Sequence, residues 1–406
     1  MSKIVIIGGG ASGLIAAIYA SVNNDVTILE KNDLCGKKIL STGNGKCNYF
    51  NAFIDIDNYN NESRDFLKDI ITLENKQEIL SFFESIGIIP VIKNGYFYPY
   101  SEQAISIRDA LIKEAKNRKV NFIHNIIVNK ITKDNNKFII NNDNNLIFDK
   151  VILATGSYAG IKQDKQNTVT GYDIAKSFSH KINKVLPSLV QLRGEEKYFK
   201  DWDGVRCSAK LALYENNTFI KSTSGQLQLT DYGISGICTF NLSGIISKGL
   251  FKKSEEVISI NFLPFLNFNN IDEYLLWLEN RNKVVKNRTI SELLSGILNK
   301  KIIKVILKKV NINYNVCYNE ISNSKRKDLI TSLIDFRVNI VSTNSFDKCQ
   351  VCTGGVDTQE ISAKTFESKK CKGLYMTGEI LDVDGECGGY NLAFAWISGM
   401  LAGKNI

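Results

Sequence analysis

The sequence has no long apolar run. The longest apolar-leaning stretch near its end, 392–403, is too short to cross a bilayer. The N-terminus has no basic segment, long apolar stretch or cleavage site, so no secretory signal is predicted. The 9 cysteines are odd in number and widely scattered, which fits reduced thiols rather than a disulfide framework. We therefore expect a cytoplasmic protein with no membrane partner.

Histidine and proline are scarce as well. Only 4 prolines and 2 histidines occur, and the histidines are His124 and His180. Cys349 and Cys352 have the spacing of a redox or metal pair, but no second pair and no nearby histidine accompany them. We interpret that pair as structural and His180 as a packing or capping residue, and we predict no metal site.

What the sequence does contain is enough apolar residue to fill a large core. It has 406 residues, of which 44% are hydrophobic and 23% charged, so two or three domains are expected.

The formal net charge of +9 is modest for this length. The basic segment 300–309 is predicted to be an amphipathic helix that buries its isoleucines and solvates its lysines. The alternative is that the lysines of this helix bind RNA or a membrane surface, but we do not expect a nucleic-acid partner.

A glycine-rich turn follows the first apolar strand. Gly8 permits a sharp turn, Gly10 permits a close approach to a pyrophosphate, and Gly13 permits close packing of the next helix on the strand. The helix N-terminus offers free N–H groups to phosphates. Glu30 ends the next apolar run and can accept hydrogen bonds from both hydroxyls of an adenosine ribose. This order of elements predicts a dinucleotide-binding site.

The end of the chain carries a second motif. A short strand, 374–377, leads into Gly378 and Glu379, at the edge where ligands of open α/β sheets bind. A carboxylate there can bind the ribityl hydroxyls of a flavin. Gly388 and Gly389 then open an apolar helix, whose N-terminal dipole can stabilise negative charge at flavin N1 and the C2 carbonyl. An NAD domain needs no such second element, so the two motifs together predict FAD.

The sequence between the motifs predicts helices and strands around a parallel sheet. Helices are predicted at 64–73, 76–86 and 104–118, and strands at 95–100, 121–128, 138–141, 146–148 and 151–155. The strands between 121 and 148 are expected to form an antiparallel meander. Short alternating runs over 205–262 suggest a β-barrel or sandwich, and 271–336 are predicted to be helical.

On these motifs the chain resembles the YhiN/BaiN-like flavoproteins, also called the aminoacetone-oxidase-like FAD-binding family, of the glutathione-reductase-like superfamily. The segments that carry the resemblance are 8–13, 37–48, 154–156, 171–190, 230–236 and 354–403. The resemblance implies an α/β fold with a Rossmann-like FAD-binding domain of the glutathione-reductase type. It also implies that a β-barrel and a helical subdomain interrupt this domain. The expected boundaries are 1–190 and 345–406 for the FAD-binding domain, 191–265 for the barrel and 266–344 for the helices.

The motifs and the resemblance together give a set of candidate FAD-binding residues. They are Gly8, Gly10, Ala11, Ser12, Gly13, Glu30, Lys31, Lys38, Thr42, Gly43, Gly45, Asn48, Thr155, Gly156, Gly378, Glu379, Asp384, Gly388, Gly389, Tyr390 and Asn391.

The candidate catalytic residues are Lys46 and Tyr232. The chain departs from the family where Lys46 replaces an arginine and Phe50 replaces a threonine. Lysine keeps the charge but lacks the planar fork, which weakens any role in clamping an anion. Tyr232 either hydrogen-bonds substrate or is an aromatic residue of a turn. Cys47 is interpreted as a plain loop cysteine, because the pair of cysteines four residues apart found in glutathione reductases is absent.

One absence bears on the reaction. No second unit of strand, glycine turn and helix occurs, so the chain lacks the NAD(P)H domain of pyridine-nucleotide disulfide reductases. Either the substrate itself reduces FAD, or NAD(P)H binds transiently, and in both cases hydride passes through flavin N5. The resemblance implies an FAD-dependent oxidoreductase acting on a small organic molecule, by amine oxidation or by reduction of an activated C=C bond. A flavoprotein that mainly binds RNA or protein is the alternative, and the oligomeric state is left open.

Overall fold

The computed structural model describes residues 1–160, 170–285 and 288–406. The chain divides into two compact units, one made of Met1–Leu186 with Val351–Ile406, and the other of Pro187–Gln350. Among the helices of the described ranges, none combines the length and apolar character needed to cross a membrane.

The helices and strands are numbered in chain order. The first part of the chain contains β1 (Lys3–Ile7), α1 (Ala11–Ala20), β2 (Asp25–Leu29), β3 (Phe50–Asn51), α2 (Arg64–Leu67), α3 (Leu73–Ser85), β4 (Pro90–Lys93), β5 (Tyr96–Pro99), α4 (Ala104–Asn117), β6 (Asn121–Ile123), β7 (Ile131–Asp134), β8 (Lys137–Ile140), β9 (Ile147–Phe148), β10 (Lys150–Leu153), α5 (Gly171–Ser177) and β11 (Ile182–Ser188). The middle contains β12 (Leu192–Arg193), α6 (Phe199–Trp202), β13 (Arg206–Glu215), β14 (Thr218–Thr230), β15 (Gly233–Ser235), α7 (Ile237–Phe251), β16 (Glu256–Asn261), α8 (Ile271–Val284), α9 (Ile290–Ser295), α10 (Lys300–Lys309), α11 (Asn323–Ile334), β17 (Phe336–Ile340) and β18 (Ser342–Thr343). The last part contains β19 (Val351–Val356), β20 (Leu374–Met376) and α12 (Tyr390–Asn405).

A five-stranded parallel sheet forms the centre of the first unit. Its strand order is β20-β10-β1-β2-β6, and each neighbouring pair is parallel. The residues of β1 and β10 are almost wholly buried, as expected of a parallel sheet covered on both faces. The predicted α/β fold with a Rossmann-like sheet is confirmed, and β1, β10 and β20 bring both predicted motifs to one sheet.

Two predicted elements of this unit are shorter than expected. The antiparallel meander contains only β7, β8 and β9, whereas Asn121–Ile123 pairs in parallel with β2. The run to 128 is interrupted because Asn125 has a φ of 58°. The helix predicted over 64–73 ends at Leu67, because extended Thr72 caps a new helix by accepting the N–H of Asn75 at 3.2 Å.

The second unit is built on a seven-stranded antiparallel sheet. Its order is β17-β16-β13-β14-β15-β12-β18, so strands from 336–343 complete a sheet that begins near 192. One buried cluster of apolar side chains runs from Leu192 to Ile340 and includes the helices α8 to α11. The division of this unit into a barrel and a helical subdomain stays a prediction.

Helix α10 has the bounds and orientation that its pattern predicts. It runs over Lys300–Lys309, and Ile302, Ile303, Ile306 and Leu307 are all 1% exposed or less. The lysines at 304 and 308 are exposed. The prediction that this helix packs its apolar face within its own unit is therefore confirmed.

The second unit also buries an unexpected carboxyl group. Glu256 lies opposite Glu215 in the pairing of β16 with β13 and is only 2% exposed. Neither of its carboxyl oxygens has a hydrogen-bond partner within the described residues. Burial, reinforced by the charge of Glu215, raises the pKa of Glu256 to about 7. The folded unit therefore favours the neutral acid.

This carboxyl makes stability dependent on pH. In the unfolded chain Glu256 ionises near its ordinary pKa of 4.5, while the folded chain holds the proton until about pH 7. The stabilisation that comes from the protonated Glu256 is complete below pH 4.5. It falls as the pH rises above 4.5 and is lost once the pH has passed 7. Glutamine is uncharged at every pH, so Glu256→Gln removes this pH dependence. We predict that the change in the free energy of unfolding caused by Glu256→Gln is more stabilising at pH 8 than at pH 4.5 by about 3 kcal/mol. Urea unfolding at both pH values measures this difference.

The control for that measurement is Glu255→Gln, which removes the same charge at an exposed neighbouring position. It should change stability little, and equally, at the two pH values. An effect of Glu256→Gln that does not depend on pH would contradict the assignment of a neutral buried acid.

Candidate functional site

The glycine turn brings the start of α1 close to the strand ends. A Cβ on Gly8 would lie 2.5 Å from the Ala154 carbonyl oxygen, and one on Gly13 would lie 2.0 Å from the Gly8 carbonyl oxygen. Gly8 also has a φ of 103°, which other residues rarely adopt. By contrast, nothing lies within 4 Å of a Cβ placed on Gly10. The turn is therefore packed on its inner side and open where a ligand would approach the backbone.

Glu30 stands at the carboxyl end of β2 with its side chain fixed. It is 7% exposed, its Oε2 accepts the N–H of Gly9 at 2.8 Å, and its Oε1 accepts the N–H of Asn32 at 2.9 Å. Oε1 also accepts from Asn32 Nδ2 at 2.6 Å, whereas Oε2 accepts only from Gly9 among the described residues and keeps a second lone pair. The carboxylate is thus oriented by the backbone and by the Asn32 side chain, and its Oε2 can still accept from a ligand hydroxyl. Lys31, which follows it, is exposed.

A second polar group lies at the carboxyl end of β20. The Glu379 carboxylate accepts from Lys38 Nζ at 2.6 Å and from Ser157 Oγ at 2.9 Å. A Cβ on Gly378 would lie 2.6 Å from Ser12 Oγ. The structure therefore brings the predicted residues Ser12, Lys38 and Glu379 together and adds Ser157, which no sequence pattern had indicated.

The loop 42–48 meets the N-terminus of α12. Gly389 caps this helix with a φ of 93°, and a Cβ there would lie 2.7 Å from the Phe50 carbonyl oxygen and 3.0 Å from Asn48 Oδ1. A Cβ on Gly43 would lie 2.6 Å from the backbone nitrogen of Asn48. Gly388 is also in close contact, because a Cβ on this glycine would lie 3.0 Å from Cε1 of the Tyr96 ring. Predicted residues from the two ends of the chain thus form one surface.

Two buried polar atoms at these surfaces lack protein partners. Asn48 Oδ1 and Thr155 Oγ1 have no hydrogen-bond partner among the described residues. The next residue after the threonine, Gly156, has a φ of 71° and open space around it. Such atoms are satisfied by a ligand or water in native proteins. The residues therefore fit FAD, with Glu30 suited to its ribose and the α12 N-terminus to its ring.

Several predicted site residues use their side chains to hold loops. Asp384 Oδ1 accepts from Asn60 Nδ2 at 2.7 Å. The amide of Asn391 is bonded to both backbone groups of Gly385, and Thr42 Oγ1 donates to the Ile39 carbonyl at 2.6 Å. These contacts shape the walls of the site. Binding of FAD by these residues stays a prediction.

Lys46 belongs to an ion cluster that the sequence did not indicate. Its ammonium pairs with Glu102, which also pairs with Lys93. Hydrogen bonds from the two lysines lower the pKa of Glu102 to about 2, so it stays ionised. The charge of Lys46 is therefore already matched, which favours a structural role for this residue.

Tyr232, the other catalytic candidate, lies in the second unit. Its hydroxyl accepts a hydrogen bond from Asn344 Nδ2 at 3.2 Å. The central carbon of the Arg193 guanidinium lies over the Tyr232 ring, 4.6 Å from the ring centroid. These contacts hold the tyrosine in place just before β15.

Proton-bearing side chains beside the α12 N-terminus were not predicted either. Tyr96 and Tyr98 alternate with buried Phe97 along β5, a period-two signal that the sequence does contain. Burial, with the nearby Cys387 and Glu386, raises the pKa of Tyr96, and burial raises that of Cys387 to about 11. Burial raises the pKa of Tyr98 as well, so all three groups hold their protons near neutral pH.

Cys35, Cys47 and His180 have the environment of structural groups. Burial raises the pKa of Cys35 and of Cys47 to about 12, so neither is a reactive thiolate. His180 is buried between Glu360 and Ser368, at 3.1 and 2.8 Å, which supports the packing interpretation. Within the described ranges no group of three or more potential ligands could hold a metal ion.

Comparison with known proteins gives matches over the full chain. A family model described as "HI0933-like protein Rossmann domain" matches residues 2–405. The 3-dehydro-bile acid delta(4,6)-reductase of Clostridium scindens is 38% identical over 408 residues, covering 100% of this chain and 98% of the relative. The ribosomal RNA dihydrouridine synthase of Escherichia coli is 27% identical, covering 99% and 97%. Among solved structures, the 3-ketosteroid-delta4-(5alpha)-dehydrogenase of Rhodococcus jostii RHA1 is 12% identical with a TM-score of 0.46, covering 100% of this chain and 96% of that one.

The two carboxylates at the sheet edge yield a test of the cofactor assignment. We predict that Glu30→Ala and Glu379→Ala each weaken FAD binding about 10- to 100-fold, since each removes charge-assisted hydrogen bonds to cofactor hydroxyls. The ratio of flavin absorbance to protein after dialysis, and titration of apoprotein with FAD, measure the loss. Glu74→Ala, at an exposed position of the same unit, is the control. Full flavin content in both variants would show that these acids are assigned wrongly.

Proposed function

This chain belongs to the HI0933-like family of Rossmann-domain flavoproteins, and we propose that it is an FAD-dependent reductase of an activated C=C bond in a small organic substrate. The family itself supports the class of FAD-dependent oxidoreductase. The observation that carries the finer assignment is 38% identity over the full chain to a bile-acid reductase.

The relatives support one reaction class over amine oxidation. A delta(4,6)-reductase of a 3-dehydro bile acid and a dihydrouridine synthase both saturate a carbon–carbon double bond. In both cases the bond is conjugated to a carbonyl group, which makes its far carbon electrophilic. An enone or a similar activated alkene is therefore the proposed substrate, with NAD(P)H as the proposed electron donor.

The chain's own residues have distinct parts in this proposal. When bound, FAD supplies the hydride-transfer chemistry. The turn Gly8–Gly13 and Glu30 would hold its adenosine half, and Asn48 with the N-terminus of α12 would hold its ring. Reduction of a C=C bond also needs a proton, and Tyr96 and Cys387 retain theirs because burial raises the pKa of each. The unit Pro187–Gln350 is proposed to set substrate specificity.

Anaerobic stopped-flow measurement on the FAD-loaded protein tests this function. We predict that NADH or NADPH bleaches the flavin absorbance at about 1 s⁻¹ or faster, within the ordinary range of turnover numbers. Addition of a 3-oxo-4-ene steroid acid should then restore the absorbance without oxygen. Bleaching by aminoacetone but not by NAD(P)H would instead support an amine oxidase. No response to either reductant would count against both activities.

A uridine base in ribosomal RNA is a second candidate substrate, favoured by the 27% identity to an RNA dihydrouridine synthase. The exposed lysines of α10 are the candidate RNA contacts, because Lys304 and Lys308 project from the solvent face of that helix. Phosphate contacts by such lysines make binding strong and salt-dependent.

Charge reversal separates the two candidates. If RNA is the substrate, the double variant Lys304→Glu and Lys308→Glu should weaken binding of ribosomal RNA at least about tenfold and reduce its salt dependence. The control variant Lys252→Glu and Lys253→Glu makes the same charge change at exposed positions of the same unit. Equal RNA binding by both variants and the unaltered protein, in a gel-shift assay, would remove this candidate.

A further inference from the structure

Four polar side chains gather where three short strands of the second unit meet. Arg193 lies on β12, opposite Gly233 of β15 on one side and Ser342 of β18 on the other. Backbone bonds fix the flanking residues, since Gly194 N–H donates to the Tyr232 carbonyl and Asn344 N–H donates to the Gln191 carbonyl, each at 3.0 Å. The side chains of Gln191, Arg193, Tyr232 and Asn344 are thus carried by a rigid ladder. We call them the Arg193 cluster.

The guanidinium of this cluster is held on two sides. Its central carbon lies 4.6 Å from the centroid of the Tyr232 ring, and its Nη1 donates to Asn344 Oδ1 at 3.0 Å. Asn344 is oriented in turn, because its Nδ2 donates to the Tyr232 hydroxyl and to Gln191 Oε1, both at 3.2 Å. Stacking and a fixed hydrogen bond leave the planar group little rotational freedom to lose when a ligand binds.

One edge of this guanidinium has no protein acceptor, and because Arg193 is exposed that edge is open to solvent and to a ligand. In the part of the chain that the structure describes, Arg193 has no carboxylate within ion-pairing distance and no acceptor on Nε or Nη2. Most other arginines are paired with acids: Arg64, Arg108, Arg118, Arg288, Arg326 and Arg337. Nε and Nη2 together form the edge that binds the two oxygens of a carboxylate side by side.

We propose that the Arg193 cluster is a site that binds the carboxylate of an organic acid. The cluster contributes one positive charge and one planar fork. These match the single charge and two coplanar oxygens of an organic acid, whereas a run of phosphates needs several cations. Within this cluster Tyr232 acts as a positioning residue for the arginine.

Binding of cholate and of its uncharged methyl ester, measured by calorimetry on the FAD-loaded protein, tests the site without requiring turnover. We expect Arg193→Met to weaken cholate binding about 10- to 100-fold and methyl ester binding less than about threefold. Arg193→Lys, which keeps the charge but loses the fork, should fall between these limits. Arg206→Met removes an exposed arginine of the same unit and should bind both ligands as the unaltered protein does.

The outcomes separate this site from the proposed reaction. No cholate binding by the unaltered protein, equal weakening of acid and ester, or equal effects of Arg193→Met and Arg206→Met would each overturn the carboxylate site. Binding of uridine monophosphate in place of cholate, lost in Arg193→Met, would also overturn it in favour of a phosphate. Arg193-dependent cholate binding by a protein that reduces no enone would support the site and contradict the proposed reductase.

Discussion

Backbone contact between α1 and α12 is the constraint on which the first unit depends. A Cβ on Gly399 would lie 2.3 Å from the Ser12 carbonyl oxygen, and one on Gly403 would lie 2.5 Å from that of Ala16. No side chain fits between the helices at these two places, so glycine alone permits the approach. The contact joins the first and last parts of the chain. A bulkier residue would force the helices apart and shift Glu379 relative to the Gly8 turn, although neither group would itself be altered.

The charged groups around this framework mainly position one another. The ion pair of Lys38 with Glu379 is half-exposed, as is that of Lys46 with Glu102. Pairs of this kind contribute little to folding stability. Their effect is geometric, because a carboxylate bonded to a lysine and to Ser157 has fewer orientations in which to meet a ligand. Glu256 is the opposite case, since its carboxyl has no such partner among the described residues and burial keeps it neutral.

Local patterns in the sequence predict the elements that are long or strongly periodic. The buried strands β1 and β10, the glycine turn and helix α10 all follow from spacing alone. Short elements such as β3, and long-range pairings such as β17 with β16, do not, because tertiary contacts rather than local preference stabilise them. The same holds for the site. Glu30 is predictable from its motif, whereas the contact of Asn48 with Gly389 joins residues that only the folded sheet brings together, and the sequence suggests it through family resemblance alone.

The replacement of arginine by Lys46 bears on where this protein can bind an anion. An ammonium group lacks the planar fork, and here Glu102, with its pKa of about 2, remains charged and pairs with it at any physiological pH. The loop 42–48 therefore offers no unmatched cation at that position. Arg193 differs in both respects, since its fork is intact and its partners, Asn344 and Tyr232, orient it without neutralising it. A stacked guanidinium without an acid partner gains electrostatic energy when a carboxylate binds to it. An ion-paired lysine gains less, because it must first break the ion pair with its own carboxylate.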